Sequence, residues 1–438
     1  MASSSARRSS IAVAATLLVA WLVCLRPASA AAKPSSSTLA GTPGPGTKLG
    51  IPLAKKLAKV GKKTLINKNY GSGDNDQLGS AAADNYGYVV YDVSVGDGAT
   101  STTFSSIVDI SDAFVWVTAA DCVSVVSACE YVTVYSWEGE GINTTGYIAD
   151  QTFTVVGTEP VITGPVVFGC STARTVPLDD ESSIVGFSRG AYSFVSQLNI
   201  SKFSYFLSPD DADSSEPDSQ QSVLLLGEAA VPQTRRSHST PLLRSAAYPD
   251  NYYVKLTGIQ VDGEDLGGIP KGAFDLAAGG GSGGVVMSTL IAVTYLQSAA
   301  YAAVKRAIVG KIKSPAVDGS AFGDGGFDLC YDAQSVAGLT FPKLTLVFGG
   351  PDAPAMELTT VHYFYKDNAT GLQCLTLLPM PAGLPFSSLL GTLLQTGTNM
   401  IYDVDGGQLT FEKAAAPPAG MQLMVVAYPL LAWVLLLL

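Results

Sequence analysis

"YGYVVYDVSVGD", residues 86–97, alternates apolar and polar side chains and closes on Gly96-Asp97. That is the pattern of a half-buried strand ending in a turn. The same texture extends outward. "FSSIVDISDAFVWVTAA" (104–120), "CEYVTVYSW" (129–137), "GYIADQTFTVV" (146–156) and "GPVVFGC" (164–170) follow at short intervals. "NYYVKLTGIQVDGEDL" (251–266), "LTFPKLTLVFGG" (339–350), "LQCLTLLP" (372–379) and "NMIYDVDGGQLTFE" (399–412) repeat the theme in the second half. Helical signals are few: "YSFVSQL" (192–198) predicts a short helix, and the alanine-rich "TYLQSAAYAAVKRAIVGKI" (294–312) a longer one. The polar, acidic run 208–222 reads as an interlobe stretch. At 438 residues the chain exceeds one ordinary core. The expectation is an all-β, two-lobed protein with a few short helices.

Charge is distributed unevenly. Residues 1–70 carry eleven Lys or Arg and no acid, leaving residues 71–438 at a net −22. So acidic a body repels nucleic acid and bare anionic membrane. Both ends read as addresses. Arg7 and Arg8, the apolar run Ile11–Leu25 and Ala28-Ser29-Ala30 form a secretory signal peptide over residues 1–30. Residues 31–83, rich in Ser, Gly, Pro and Lys, read as a leader or propeptide, or a linker. The tail 414–438 is nearly all apolar from Met421 and follows small residues, which fits a glycolipid-anchor (GPI) signal; a plain tail anchor is the alternative. Secretion makes cysteines disulfide candidates, and removing Cys24 with the signal leaves an odd five. Asn143, Asn199 and Asn368 head glycosylation sequons.

Taken in order, these segments resemble the plant nepenthesin-like aspartic proteases of the pepsin-like superfamily, and their non-proteolytic branch that includes the wheat-type xylanase inhibitors. The resemblance covers residues 84–413. It is carried by "YVVYDVSVGD" (88–97), "IVDISDAFVWV" (107–117), "FGCSTA" (168–173), "SSIVGFSRGAYSFVSQL" (182–198) and "KFSYFLS" (202–208) in one half. "TPLLRSAAYPDNYYVKLTGIQVDGEDL" (240–266) and "LLGTLLQTGTNMIYDVDGGQLTFE" (389–412) carry it in the other. It implies a bilobed acid-protease fold, with an N-terminal lobe over 84–222 and a C-terminal lobe over 223–413. The implied chemistry uses two aspartates, one per lobe, that share a proton and hold a water; like charges so close cannot both ionise.

Mapped onto this chain, Asp109 takes the first catalytic position, with Trp116 seven residues on. Ile110, Ser111 and Asp112 stand where the family has Thr, Gly and Ser. Ile cannot make the threonine hydroxyl's bond to the opposite lobe, and Ser111 adds a Cβ at a close approach. In "GGVVMSTLIAVTYL" (283–296) the second aspartate falls on Ser288, followed by Thr289, Leu290 and Ile291. Asp112 shares a turn with Asp109, so it belongs to the wrong lobe to replace the lost acid. A serine hydroxyl without a neighbouring base activates water poorly. The flap hairpin falls in "YSWEGEGINTTGYIADQTF" (135–153). Glu138 holds the usual tyrosine position there, with Tyr135 and Trp137 in reach of a register shift. Phe206 stands where relatives carry Cys, which makes Cys170 the candidate free thiol. Cys330 with Cys374, and Cys122 with Cys129, are the disulfide candidates.

Other constellations carry less. Ser282 in "GGGSGG" (279–284) formally fits a nucleophile elbow, but a glycine-rich loop before a strand is the wrong context. His238 reads as an exposed loop residue and His362 as a satisfied strand residue, without a Ser or Cys partner. Neither a metal nor a cofactor is expected. The sequence therefore predicts a monomeric pseudo-protease at the cell surface that binds a polypeptide or a glycoside hydrolase. An active endopeptidase and an anchored structural or receptor-like protein are the alternatives.

Overall fold

The structure is a computed structural model. It describes residues 51–52, 90–95, 102–118, 130–134, 143–155, 163–174, 183–207, 223–232, 237–319, 327–351, 353–368 and 370–413. The signal peptide, most of the leader and the apolar tail lie outside the described residues, as do Cys122, Cys129, Tyr135, Trp137 and Glu138.

The described residues form four sheets: one of seven strands from the first half, one of eleven, and two smaller ones of four and three strands. The mainly-β expectation holds. One strand weave is built twice. In the first copy Thr102–Asp109 runs parallel to Ser183–Gly186, with Asp109 opposite Gly186. Val115–Thr118 flanks Ser183–Gly186 on its other side, antiparallel, and runs parallel to Thr163–Arg174. In the second copy Val285–Met287 runs parallel to Ser388–Leu390. Thr294–Leu296 meets that strand's far side, Tyr295 opposite Leu389, and runs parallel to Leu377–Pro379.

Each weave sends a turn over the end of its middle strand, and a glycine makes the crossing possible. A Cβ on Gly186 would lie 2.4 Å from the carbonyl oxygens of Asp112 and Phe114. A Cβ on Gly391 would lie 2.2 Å from that of Val293 and 2.5 Å from that of Ala292. The glycine amides are satisfied by the turns they underlie. Gly186 donates to the Phe114 carbonyl (3.0 Å) and Gly391 to Thr294 Oγ1 (3.0 Å).

The large sheet joins the halves. Lys202–Phe206 lies between Val223–Leu226 and Thr398–Asp403, so the strands on either side of the acidic stretch 208–222 are neighbours in one sheet. Aromatic rings fasten this region. Phe203 stacks on Tyr402 (4.8 Å), Phe187 meets Phe203 edge-on (5.3 Å), and Tyr252 meets Tyr402 (4.9 Å). The buried core runs unbroken from Val108 through Phe203 to Phe411, so the halves share apolar surface rather than merely touch.

The two helices that the periodicity predicts are present, and the short helices Thr360–Tyr363 and Thr392–Gln395 add to them. Phe194–Gln197 is capped by Ser193, whose Oγ accepts from the Ser196 amide. Ser298–Lys311 is capped by Gln297, whose Oε1 accepts from Ala299 and Ala300. His362 corrects the expectation of a strand residue. It lies in the short helix Thr360–Tyr363, and its Nδ1 accepts from the Thr359 amide (2.9 Å). Its Nε2 is 3.1 Å from the Thr396 carbonyl, so the imidazole works as a helix cap. His238 begins a strand, His238–Leu243, rather than lying in a loop, and is exposed.

Candidate functional site

Asp109 ends one strand of the first weave, and Ser288 directly follows the matching strand of the second. Both lie against the weave glycines: Asp109 pairs with Gly186, and the Ser288 amide donates to the Leu390 carbonyl (3.0 Å) beside Gly391. The two residues thus hold equivalent places, one per half. Asp109 is 1% exposed and Ser288 2%.

The Asp109 carboxylate is held by its own turn. Oδ1 accepts from the Ser111 amide (2.8 Å) and the Ser111 hydroxyl (2.5 Å). Burial pushes its pKa above the ordinary value, and the Ser111 bonds oppose that rise. The Asp109 carbonyl accepts from the Phe187 amide (2.7 Å), which fixes the backbone behind the side chain. Asp112, also buried, caps the turn: its Oδ1 accepts from the Phe114 amide (2.9 Å).

Ser288 is tied differently. Its Oγ accepts from the amides of Leu290 and Ile291, each at 3.2 Å, the acceptor work a carboxylate at a turn would do. Leu290 and Ile291 are half-buried, and Ile291 packs against the cluster of Tyr253, Val286, Phe386 and Leu389.

The turns grip each other through one residue. The Thr289 hydroxyl donates to the Val108 carbonyl (2.7 Å) and accepts from the Ile110 amide (3.0 Å), bracketing Asp109 from the other half. The reciprocal hydroxyl is missing because Ile110 replaces threonine; its side chain is fully buried in the core instead. In the sequence Thr289 is one of the changed residues after Ser288, with nothing but its position to mark it as a clamp. Its place directly behind Ser288, matching that of Ile110 behind Asp109, was the available signal.

Gln395 and Arg189 also carry the site without a prior sequence signal. Gln395 is fully buried. Its Nε2 donates to the carbonyls of Ser288 (2.9 Å), Leu390 (3.2 Å) and Gly391 (3.1 Å), and its Oε1 accepts from the Tyr205 hydroxyl. Arg189 crosses from the first half into the second. Its guanidinium donates to the carbonyls of Leu243 (2.9 Å) and Asn251 (3.3 Å) and lies over the Tyr252 ring at 4.8 Å.

Trp116 is wholly buried, a core residue. The hairpin strands Glu130–Val134 and Asn143–Val155 pair with Val134 opposite Asn143, so residues 135–142 connect them. The flap candidates Tyr135, Trp137 and Glu138 fall in that connection, outside the described residues. Tyr131 on the same hairpin is buried, 3.2 Å from Thr144 Oγ1, with its ring 5.1 Å from that of Phe114. Burial and the neighbouring charge of Asp112 push its phenol up to about 12 against its hydroxyl bonds.

Cys330 and Cys374 form a disulfide between paired strands. Cys170 corrects the expectation of a free thiol, for it is disulfide-bonded. Its partner lies outside the described residues, since Cys330 and Cys374 take each other. The strand beside it, with Val117 opposite Cys170, leads into the segment that carries Cys122 and Cys129. An odd cysteine count identifies no particular thiol, and the loss of Cys at Phe206 did not release this one. Asn199 and Asn368 are exposed; Asn199 holds a left-handed backbone at φ 52° after its helix. Asn143 begins a strand. Among the described residues no group of three or more His, Cys, Asp or Glu is placed to hold a metal ion.

Comparisons with known proteins agree with this geometry. Residues 119–228 match the family model Xylanase inhibitor N-terminal, and residues 251–413 match Xylanase inhibitor C-terminal. The aspartic proteinase nepenthesin-1 of Nepenthes gracilis is 32% identical over 288 residues, covering 65% of this chain and 61% of that protein's length. Nepenthesin-2 of the same species is 26% identical over 443 residues, covering 87% of this chain and 95% of its own. Soybean basic 7S globulin shares the fold, with a TM-score of 0.56 at 16% identity over 75% of this chain and 94% of that one. The chain is therefore a member of the plant nepenthesin-like aspartic protease family, in the form that carries the paired xylanase-inhibitor domains.

Proposed function

We propose that this protein is a pseudo-protease: it uses the cleft between its halves to bind a polypeptide and does not hydrolyse it. One observation carries the reading. Ser288 holds the place equivalent to Asp109, and its hydroxyl is engaged by the Leu290 and Ile291 amides. General acid–base hydrolysis by this fold needs a second carboxyl group from the opposite half. Asp112 lies on the Asp109 turn and cannot bracket a water from across the cleft. Leu290 adds an apolar group beside Ser288. The Thr289 grip and the Gln395 ties support a site whose frame is kept while its acid is gone.

The preferred partner is a glycoside hydrolase, as the two matched domain models suggest by name. The protein acts as a monomer in the secretory pathway and at the outer cell surface, delivered by residues 1–30 and tethered by a glycolipid replacing the tail. Its disulfide chemistry supports an oxidising destination. The test is an assay of the ectodomain on a broad peptide library between about pH 2.5 and 6, beside Asp109→Ala and a pepsin-type inhibitor. A folded, silent sample is the expected outcome. Cleavage abolished by both controls would overturn the reading in favour of an active endopeptidase. Release of the native protein by a phosphoinositide-specific lipase checks the tether separately.

A further inference from the structure

We propose that Asp109 is an acid-favoured latch between the two halves of the molecule: neutral, it leaves the Thr289 grip closed, and ionised, it loosens that grip. The inference rests on geometry and holds whether the cleft binds or cuts. Asp109 is almost wholly buried, and the donors to its Oδ1 are an uncharged amide and an uncharged hydroxyl from its own turn. The peptide on either side of it is where the other half takes hold, through the Val108 carbonyl and the Ile110 amide. A negative charge appearing there is relieved by water, and admitting water means separating the two turns.

Among the described residues the surrounding groups supply no compensating positive charge. On its own turn the other titratable group is Asp112, a like charge. From the loop after Ser183–Gly186, Arg189 turns its guanidinium away, onto the Leu243 and Asn251 carbonyls and the Tyr252 ring. Asp250 approaches this loop at Gly190 and is a second acid. From the hairpin comes Tyr131, a neutral phenol at ordinary pH. The Ser288–Ile291 turn and the Gly391–Gln395 segment contribute no titratable side chain. In an active relative a second carboxyl from the opposite half shares the proton at this point; here Ser288 stands in that place and offers none.

The direction follows from burial. A carboxyl whose folded pKa lies above its ordinary 3.8 favours the folded, closed form below that value. The contribution is lost as pH rises from 3.8 through the folded pKa, and stays lost above it. The experiment follows the protection of the Ile110 amide, corrected for intrinsic exchange, and the urea midpoint across this range. Wild type, Asp109→Asn and Asp112→Asn are compared. Wild type is expected to lose protection and shift to a lower midpoint with rising pH. Asp109→Asn keeps both, and Asp112→Asn retains the wild-type dependence. Parallel profiles for wild type and Asp109→Asn would overturn the proposal, as would loss of the dependence in Asp112→Asn. Should Asp109→Asn not fold, site-assigned carboxyl titration of wild type decides: a midpoint at or below the ordinary carboxylate value refutes the latch.

Discussion

Replacing Thr289 by valine removes one hydroxyl and keeps the side chain's shape. Two buried backbone groups lose their partner across the junction. The Ile110 amide has a single hydrogen to donate, and its residue is fully buried, so it is left unsatisfied at a cost of about 1–3 kcal/mol. The Val108 carbonyl keeps a second lone pair, so its lost bond costs about 1 kcal/mol. Thr289→Val should therefore destabilise the protein by about 2–4 kcal/mol. Thr289→Ser keeps the hydroxyl and loses one methyl, about 0.8 kcal/mol. Equilibrium urea unfolding, followed by the fluorescence of buried Trp116, measures both differences. If Thr289→Val falls within about 0.5 kcal/mol of wild type, or Thr289→Ser costs as much as Thr289→Val, the hydroxyl does not join the halves.

Three further outcomes are expected. Ser288→Asp combined with Leu290→Gly should yield measurable acid cleavage of a peptide library, lost again on adding Asp109→Ala; continued silence in a folded double variant would show that more than the acid is missing. Gly391→Ala should cost about 3 kcal/mol or more, because its methyl would meet three consecutive carbonyl oxygens; a thermal melt like wild type would contradict the crossing geometry. Gln395→Leu strands the Ser288 carbonyl and leaves the Tyr205 hydroxyl with the Tyr402 hydroxyl as its partner, so it should cost about 1–3 kcal/mol by urea unfolding, while an unchanged midpoint would mean that other groups hold the turn.

The sequence revealed what depends on local pattern or residue chemistry. Alternation located the strands, and the interval from Asp109 to Trp116 located the first turn. Counting along 283–296 placed Ser288 where an acid was due. Long-range pairing was less legible. Nothing local announces that Ser183–Gly186 lies between Thr102–Asp109 and Val115–Thr118, because that neighbour relation spans more than sixty residues. Thr289 was visible as a letter but not as a clamp, since its two bonds reach 179 and 181 residues away. Cysteine parity misled for a related reason: it counts thiols without locating their partners, and Cys170 is bonded. His362 looked like a strand residue because its neighbours are β-branched and aromatic. Its ring, closing a one-turn helix against Thr359 and Thr396, overrode that propensity.

The doubled weave also bears on how such a protein changes over generations. Each crossing is enforced by a glycine pressed against carbonyl oxygens, whereas the group at the tip of each turn needs only to accept amide hydrogens. A serine oxygen meets that need as an aspartate does. The scaffold therefore tolerates disarmament at either tip while remaining intolerant at its crossings. Exchange of one acceptor for another at a turn tip should be tolerated far better than any side chain at Gly186 or Gly391.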